Sequence, residues 1–129
     1  MTEKQRAAPG AAQQETHACK TDTRSSAIRC LNDQFRHSLA GGKVLVTAGV
    51  HALGAAHVQA ILAKVTQFDD FKEANDPYGE HDFGAIDDAS ERYFWKIDYY
   101  DLNLEMGSPD PADPKKTCRV LTIMLASEY

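Results

Sequence analysis

Glu80, His81 and Asp82 follow one another directly within NDPYGEHDFG (residues 75–84). Carboxylates and an imidazole are the side chains that hold metal ions and move protons near neutral pH. On a strand, however, neighbours point to opposite faces. Glu80 and Asp82 would then share a side while His81 turns away. A turn at Gly79 could relax that limit for Glu80. A hairpin that brought this segment beside Lys96 and Asp98 would assemble a Glu80, Asp82 and Asp98 carboxylate group with Lys96 at its edge. Oxygen ligands of that kind suit magnesium or manganese, with Lys96 polarising a phosphate or a water. One reading is therefore a divalent-metal-dependent hydrolase with Glu80, Asp82 and Asp98 as metal ligands. The acid-x-Lys strand of metal-dependent nucleases needs an acid two positions before the lysine, and here that position is Phe94. In the plainer reading, Glu80, Asp82, Lys96 and Asp98 form cross-strand ion pairs on a solvated sheet face.

The segment Arg92–Tyr100 has the densest run of β-forming residues in the chain. The two-residue period sets Tyr93, Trp95, Ile97 and Tyr99 on one face and Phe94, Lys96, Asp98 and Tyr100 on the other. The first face is apolar enough to meet helices. The second mixes aromatic and charged groups and should be exposed. Aromatic residues among acids form a reasonable anchor set for a basic protein surface. Tyr78, Glu80, His81, Asp82, Phe94, Lys96, Asp98 and Tyr100 are thus the candidate binding residues. The leading expectation is a non-enzymatic protein-binding module, with the metal-dependent hydrolase as the alternative.

Charge supports that order. Net charge is −5, with +3 over residues 1–45 and −8 over residues 46–129. Between Asp69 and Asp113, fourteen acids face only Lys72, Arg92 and Lys96, which makes this portion −11. Such a surface repels nucleic acid and suits a basic partner, a metal ion or plain solubility. The aromatic residues of the Arg92–Tyr100 run have no basic groove beside them, so strand packing explains them better than base stacking. No G-x-S-x-G elbow is present, Gly41-Gly42 lacks the context of a P-loop, and no cofactor is called for. Three cysteines (Cys19, Cys30 and Cys118) at irregular spacing argue against a disulfide framework or a zinc ribbon. Cys30 and Cys118 read as small buried hydrophobes. With no long apolar run and no signal-type N-terminus, no membrane association is expected, and the expected location is cytoplasmic.

The elements that would position these residues follow from periodicity. Residues 1–24 lack apolar period and read as a disordered tail, leaving 25–129 as a single domain. After Ser25-Ser26 as caps, Ile28, Leu31, Phe35 and Leu39 form one helical stripe over 26–40. Arg29, Asn32, Asp33 and Arg36 fall off that stripe and should face water. Gly41-Gly42 should end the helix. Residues 43–47 read as a strand, 48–50 as a turn, and 53–68 as a second helix with His57 at the edge of its apolar stripe. The spacing then predicts a hairpin of strands 81–86 and 92–100. A long loop stiffened by Pro109, Pro111 and Pro114 spans 102–116, and a last strand runs over 118–126 with Leu121, Ile123 and Leu125 toward the core. The expected fold is a two-layer α+β domain: a mostly antiparallel sheet of about four strands with two helices on one face.

At NDPYGEHDFG, FWKIDYYD and DPADPKKTCRVLTIMLASEY the chain resembles a bacterial domain-of-unknown-function family, numbered 3768, over about residues 26–129. The resemblance implies a short protein frequent in alphaproteobacteria and often carried on plasmids or other mobile elements. It implies a role in plasmid maintenance or in countering host defence, and it supplies no catalytic residues.

Overall fold

The computed structural model describes residues 23–129. Its elements run α1 (Arg24–Ser38), β1 (Gly42–Val46), α2 (Ala48–His51), α3 (Ala55–Thr66), β2 (Phe83–Asp88), β3 (Glu91–Tyr100) and β4 (Cys118–Leu125), closing in a single 3₁₀ turn at Ala126–Glu128. The fold is α+β. The four strands form one sheet in the order β1-β4-β3-β2. Strands β2, β3 and β4 pair antiparallel as a meander, as expected. The sheet is nevertheless mixed, because β1 lies parallel to β4. A third helix, α2, occupies the stretch expected to be a turn. The tail expected over 1–24 lies outside the described residues, except that Thr23 already caps α1 and Arg24 opens it.

Side-chain alternation decides where the core sits. Tyr93, Trp95 and Ile97 of β3 and Leu121 and Ile123 of β4 are buried on one face. There they meet Phe35 of α1, Val50 of α2, and Ile61 and Val65 of α3. Each such side chain removed from water contributes about 1.5–3 kcal/mol. Two glycines permit close approach. A Cβ at Gly42 would sit 2.5 Å from the Arg119 carbonyl oxygen, and one at Gly84 would collide with the Trp95 indole and with Phe68.

Helix α1 departs from expectation in two ways. Thr23, not Ser25 or Ser26, is the N-cap, accepting from the Ser26 N–H at 3.0 Å. The helix stops before the glycine pair: Leu39 takes the left-handed conformation (φ 58°) and bonds back to Phe35. More consequential is the face it buries, which is Ile28, Asn32, Phe35 and Arg36. The spacing of four, three and one is properly helical, but half the residues are polar. Asn32 and Arg36 are 0% and 1% exposed, so the expectation that they face water is overturned.

The β2–β3 hairpin closes through two residues, Ala89 and Ser90, both at positive φ (50° and 68°). That is the geometry that matches strand twist in a tight hairpin. Glu128, in the closing turn, accepts from Thr47 Oγ1 (2.5 Å), Gly49 N–H (2.9 Å) and Leu125 N–H (3.0 Å), tying the chain end to the start of α2. The proline loop packs back as a lobe: Ser108 N–H donates to Tyr99 O, and Arg119 Nη2 donates to Pro111 O at 2.6 Å. Cys118 is half-buried and free, whereas Cys30 is half-buried and disulfide-bonded. Neither is the fully buried thiol expected. Among the described residues no helix is long and apolar enough to cross a membrane.

Candidate functional site

The turn Asn75–Gly79 and the segment after it are held by bonds from three directions. Asp76, 9% exposed, accepts the backbone N–H groups of Glu80 and His81 at 3.1 Å each. Arg29 of α1 donates to Gly79 O at 3.0 Å, and Asn32 donates to Glu80 O at 2.9 Å. Helix α1 therefore positions the acidic cluster, through residues that its apolar stripe would have left in solvent.

Asn32 is the hub. Its Nδ2 also donates to Tyr99 Oη at 2.8 Å, and its Oδ1 accepts from Arg119 Nε at 2.6 Å. The Arg119 guanidinium lies 5.2 Å from the Tyr99 ring centroid. Tyr99 Oη in turn reaches Glu80 Oε1 (3.5 Å) and Asp82 Oδ2 (3.4 Å). Burial, together with the neighbouring carboxylate charges, pushes the Tyr99 phenol well above its ordinary range, so it remains a donor. Glu80 and Asp82 thus both lie beside Tyr99 Oη, but from loop backbone ahead of β2 and not from a strand. Burial is the first cause that raises both carboxyls above the ordinary range, and each is further raised by carboxylates nearby. Among the described residues neither carboxylate has a cation within ion-pair distance.

His81 takes a left-handed backbone (φ 56°), so the strand expected to start there begins only at Phe83. Its ring stacks on Phe71 at 3.7 Å, nearly parallel. Nδ1 lies 2.9 Å and 3.1 Å from the two oxygens of Asp33, and Nε2 lies 3.6 Å from Asp76. A carboxylate only accepts, so Nδ1 carries the proton there. Asp33 also receives Arg36 at 3.2 Å, and Arg36 spans the Val65 and Phe68 carbonyls while lying over Trp95 and Phe71. His81 thus works as a pin between the loop and α1. His57 is likewise structural: it bonds the Tyr93 hydroxyl at 2.9 Å.

The other face of the sheet is different. The strand register sets Phe83, Lys96 and Thr122 in one row, with Leu45 beside Thr122, and Phe94 beside Met124. None of the three helices lies there. Tyr129 folds onto it, its ring 6.0 Å from Phe83 and 5.4 Å from Phe94. Leu45 stays 52% exposed and Tyr129 74%. Lys96 and Asp98 pair at 2.8 Å, which raises Lys96. At the edge where β2 begins, a cleft of about 320 Å³ is lined by Asn75, Pro77, Tyr78, Asp82, Phe83, Lys96, Ile97, Asp98 and Tyr129.

Of the residues singled out in the sequence, Tyr78, Asp82, Lys96 and Asp98 come together at this cleft. Phe94 adjoins it through its ring contacts. Tyr100 shares the face but stands at the far end of β3, opposite Cys118. Glu80 and His81 line the α1 side instead. The proposed Glu80, Asp82 and Asp98 metal group does not form as a unit, because Glu80 lies outside the cleft that Asp82 and Asp98 line and Asp98 is engaged by Lys96. Among the described residues no three His, Cys, Asp or Glu side chains converge as a metal site would require. Sequence reading missed Phe83 and Tyr129 as cleft walls, and Asn32 and Arg119 as supports. The register of Phe83 was the available signal for the first.

The family described as "Protein of unknown function (DUF3768)" matches residues 46–128. That span begins later than the resemblance over 26–129 and so leaves out α1. No curated protein matches the chain, and no solved structure does.

Proposed function

The chain belongs to this family of proteins of unknown function, and from its geometry we propose that it is a non-enzymatic protein-binding domain that docks a basic segment of a partner on the uncovered face of its sheet. The observation that carries this reading is the cleft at the β2 edge. It combines two carboxylates with the exposed rings of Tyr78 and Tyr129 and the half-buried ring of Phe83, on a face that no helix covers. An ordinary two-layer domain covers one sheet face and solvates the other with polar residues. Here the second face buries Val120 and Met124 within the domain and leaves Leu45, Phe83, Phe94 and Tyr129 wholly or partly open, an apolar and aromatic set of the kind enriched at interface centres. The −11 balance between Asp69 and Asp113 selects a basic partner and speeds its approach. A setting on a mobile element, where countering host defence would call for such a partner, belongs to the same proposal. So does a cytoplasmic location.

The test is capture from host lysate by the full chain and by an Asp98→Lys variant, over a series of salt concentrations. The proposal expects a partner held at stoichiometric level by the wild type, released as salt rises, and lost by the variant. Absence of any stoichiometric partner, or equal retention by the variant, contradicts it.

A further inference from the structure

We propose that the cleft at the start of β2 is a receptor for a single arginine side chain of the partner, its guanidinium seated at Asp82 and Asp98 between the rings of Phe83, Tyr129 and Tyr78. The inference rests on the protein-binding reading and names the chemistry that the surface recognises.

Three observations carry it. The first is Asp82. It is half-buried and lines the cleft, yet among the described residues its only side-chain partner is the Tyr99 hydroxyl at 3.4 Å. A carboxylate withdrawn from water without a cation is costly, and a cation arriving from outside relieves that cost. The second is Asp98, across the cleft. Lys96 occupies its Oδ2 at 2.8 Å, and both side chains are about one-third exposed. The ion pair can therefore open toward a competing cation without unfolding anything. With Asp82, Asp98 and Lys96 together, the lining carries a net negative charge. The third is the set of walls. Phe83, Phe94 and Tyr129 form a connected aromatic group, with Phe83 and Phe94 centroids 5.2 Å apart, and Tyr78, 79% exposed, also lines the cleft.

That combination fits arginine better than lysine. A guanidinium is planar and weakly hydrated, it stacks on ring faces, and it can give separate N–H donors to two carboxylates at once. An ammonium is a compact, strongly hydrated point charge that gains less from flat aromatic walls. The cavity, at about 320 Å³, lies at the small end for a ligand pocket and suits one side chain rather than a folded element.

The experiment titrates the full chain, isotope-labelled, with three short peptides identical except for one central residue: arginine, lysine or citrulline. Amide shifts are followed by NMR. The expected result is saturable shifts at Tyr78, Asp82, Phe83, Lys96, Asp98 and Tyr129 with the arginine peptide. Loss of a charge-assisted pair predicts affinity weaker by about tenfold or more for the neutral citrulline peptide, with lysine between. Asp82→Asn should abolish the discrimination between arginine and citrulline. Tyr129→Ala, at an exposed position outside the core, should weaken binding of all three. Equal shifts with arginine and citrulline, shifts centred elsewhere, or no saturation at millimolar peptide would overturn the proposal. If the lysate experiment still yields an Asp98-dependent partner in that case, the arginine receptor falls while the protein-binding reading stands. If both fail, the site is misassigned.

Discussion

Replacing Asn32 by alanine should destabilise the domain more than any single apolar truncation on the exposed side of α1. Asn32 is fully buried, donates to Glu80 O and Tyr99 Oη, and accepts from Arg119 Nε at 2.6 Å. Truncation leaves the Glu80 carbonyl and the Arg119 Nε–H without partners. An orphaned buried group costs about 1–3 kcal/mol, more when it is charged. Arg119 is 5% exposed, so its donor belongs at the upper end. Tyr99 loses less, because its one O–H can still donate to Glu80 or Asp82. The sum is about 3–5 kcal/mol, a large part of the roughly 5–15 kcal/mol that holds a domain of this size. With a urea m-value of about 1.5 kcal/mol per molar, the unfolding midpoint should fall by about 2 M or more at unchanged m. A double-mutant cycle with Arg119→Met isolates the pair, and a coupling of about 1–3 kcal/mol is expected. A loss below about 1 kcal/mol for Asn32→Ala, or additivity in the cycle, would refute the assignment of Asn32 as the hub that fixes the Gly79–Asp82 segment.

Glu80 and Asp82 have folded-state carboxyls raised first by burial, so the native state binds protons that the unfolded chain has already released. Stability from this pair therefore falls as pH rises from the ordinary carboxylate range through the raised folded values. Glu80→Gln and Asp82→Asn should each raise the melting temperature at neutral pH and flatten the profile across that window; a drop in melting temperature counts against an uncompensated acidic pair. At His81, with φ 56°, the usual ranking of glycine and alanine should invert. Both substitutions lose the Asp33 bonds and the Phe71 stack, but His81→Gly should be about 1 kcal/mol more stable than His81→Ala in chemical denaturation. Gly84→Ala should cost about 1–3 kcal/mol, because its methyl group would meet the Trp95 indole and Phe68; an unchanged unfolding midpoint would mean that the indole has room to shift.

The sheet was largely legible from the sequence because strands advertise themselves through a period of two. The run Tyr93, Trp95, Ile97 and Tyr99 sorted correctly against Phe94, Lys96 and Asp98, and Leu121 and Ile123 of β4 face the core as read. The parallel pairing of β1 was hidden, because its partner β4 lies more than seventy residues away and nothing local records it. The buried face of α1 was misread for a different reason. Spacing allowed Ile28, Asn32, Phe35 and Arg36 as readily as Ile28, Leu31, Phe35 and Leu39, and residue polarity decided wrongly. The polar members are buried because the Val65 and Phe68 carbonyls at the end of α3, the Glu80 carbonyl and Tyr99 supply partners that only the tertiary fold brings to them. The same holds for the site. Alternation did not apply to Glu80, His81 and Asp82, because they precede β2 and His81 is at positive φ. Only the register could show that Phe83 sits beside Lys96, and only the fold of the chain after β4 brings Tyr129 onto the same wall.

The uncovered sheet face is the centre of this account, and a footprint on the complex tests it most directly. Hydrogen exchange of the full chain, alone and with the captured partner, should show slowed exchange at Phe83, Phe94–Asp98 and the segment around Tyr129, with α1 and α3 unchanged. Protection confined to α1, α3 or the 102–116 loop, with the open face exchanging as in the free protein, would contradict it.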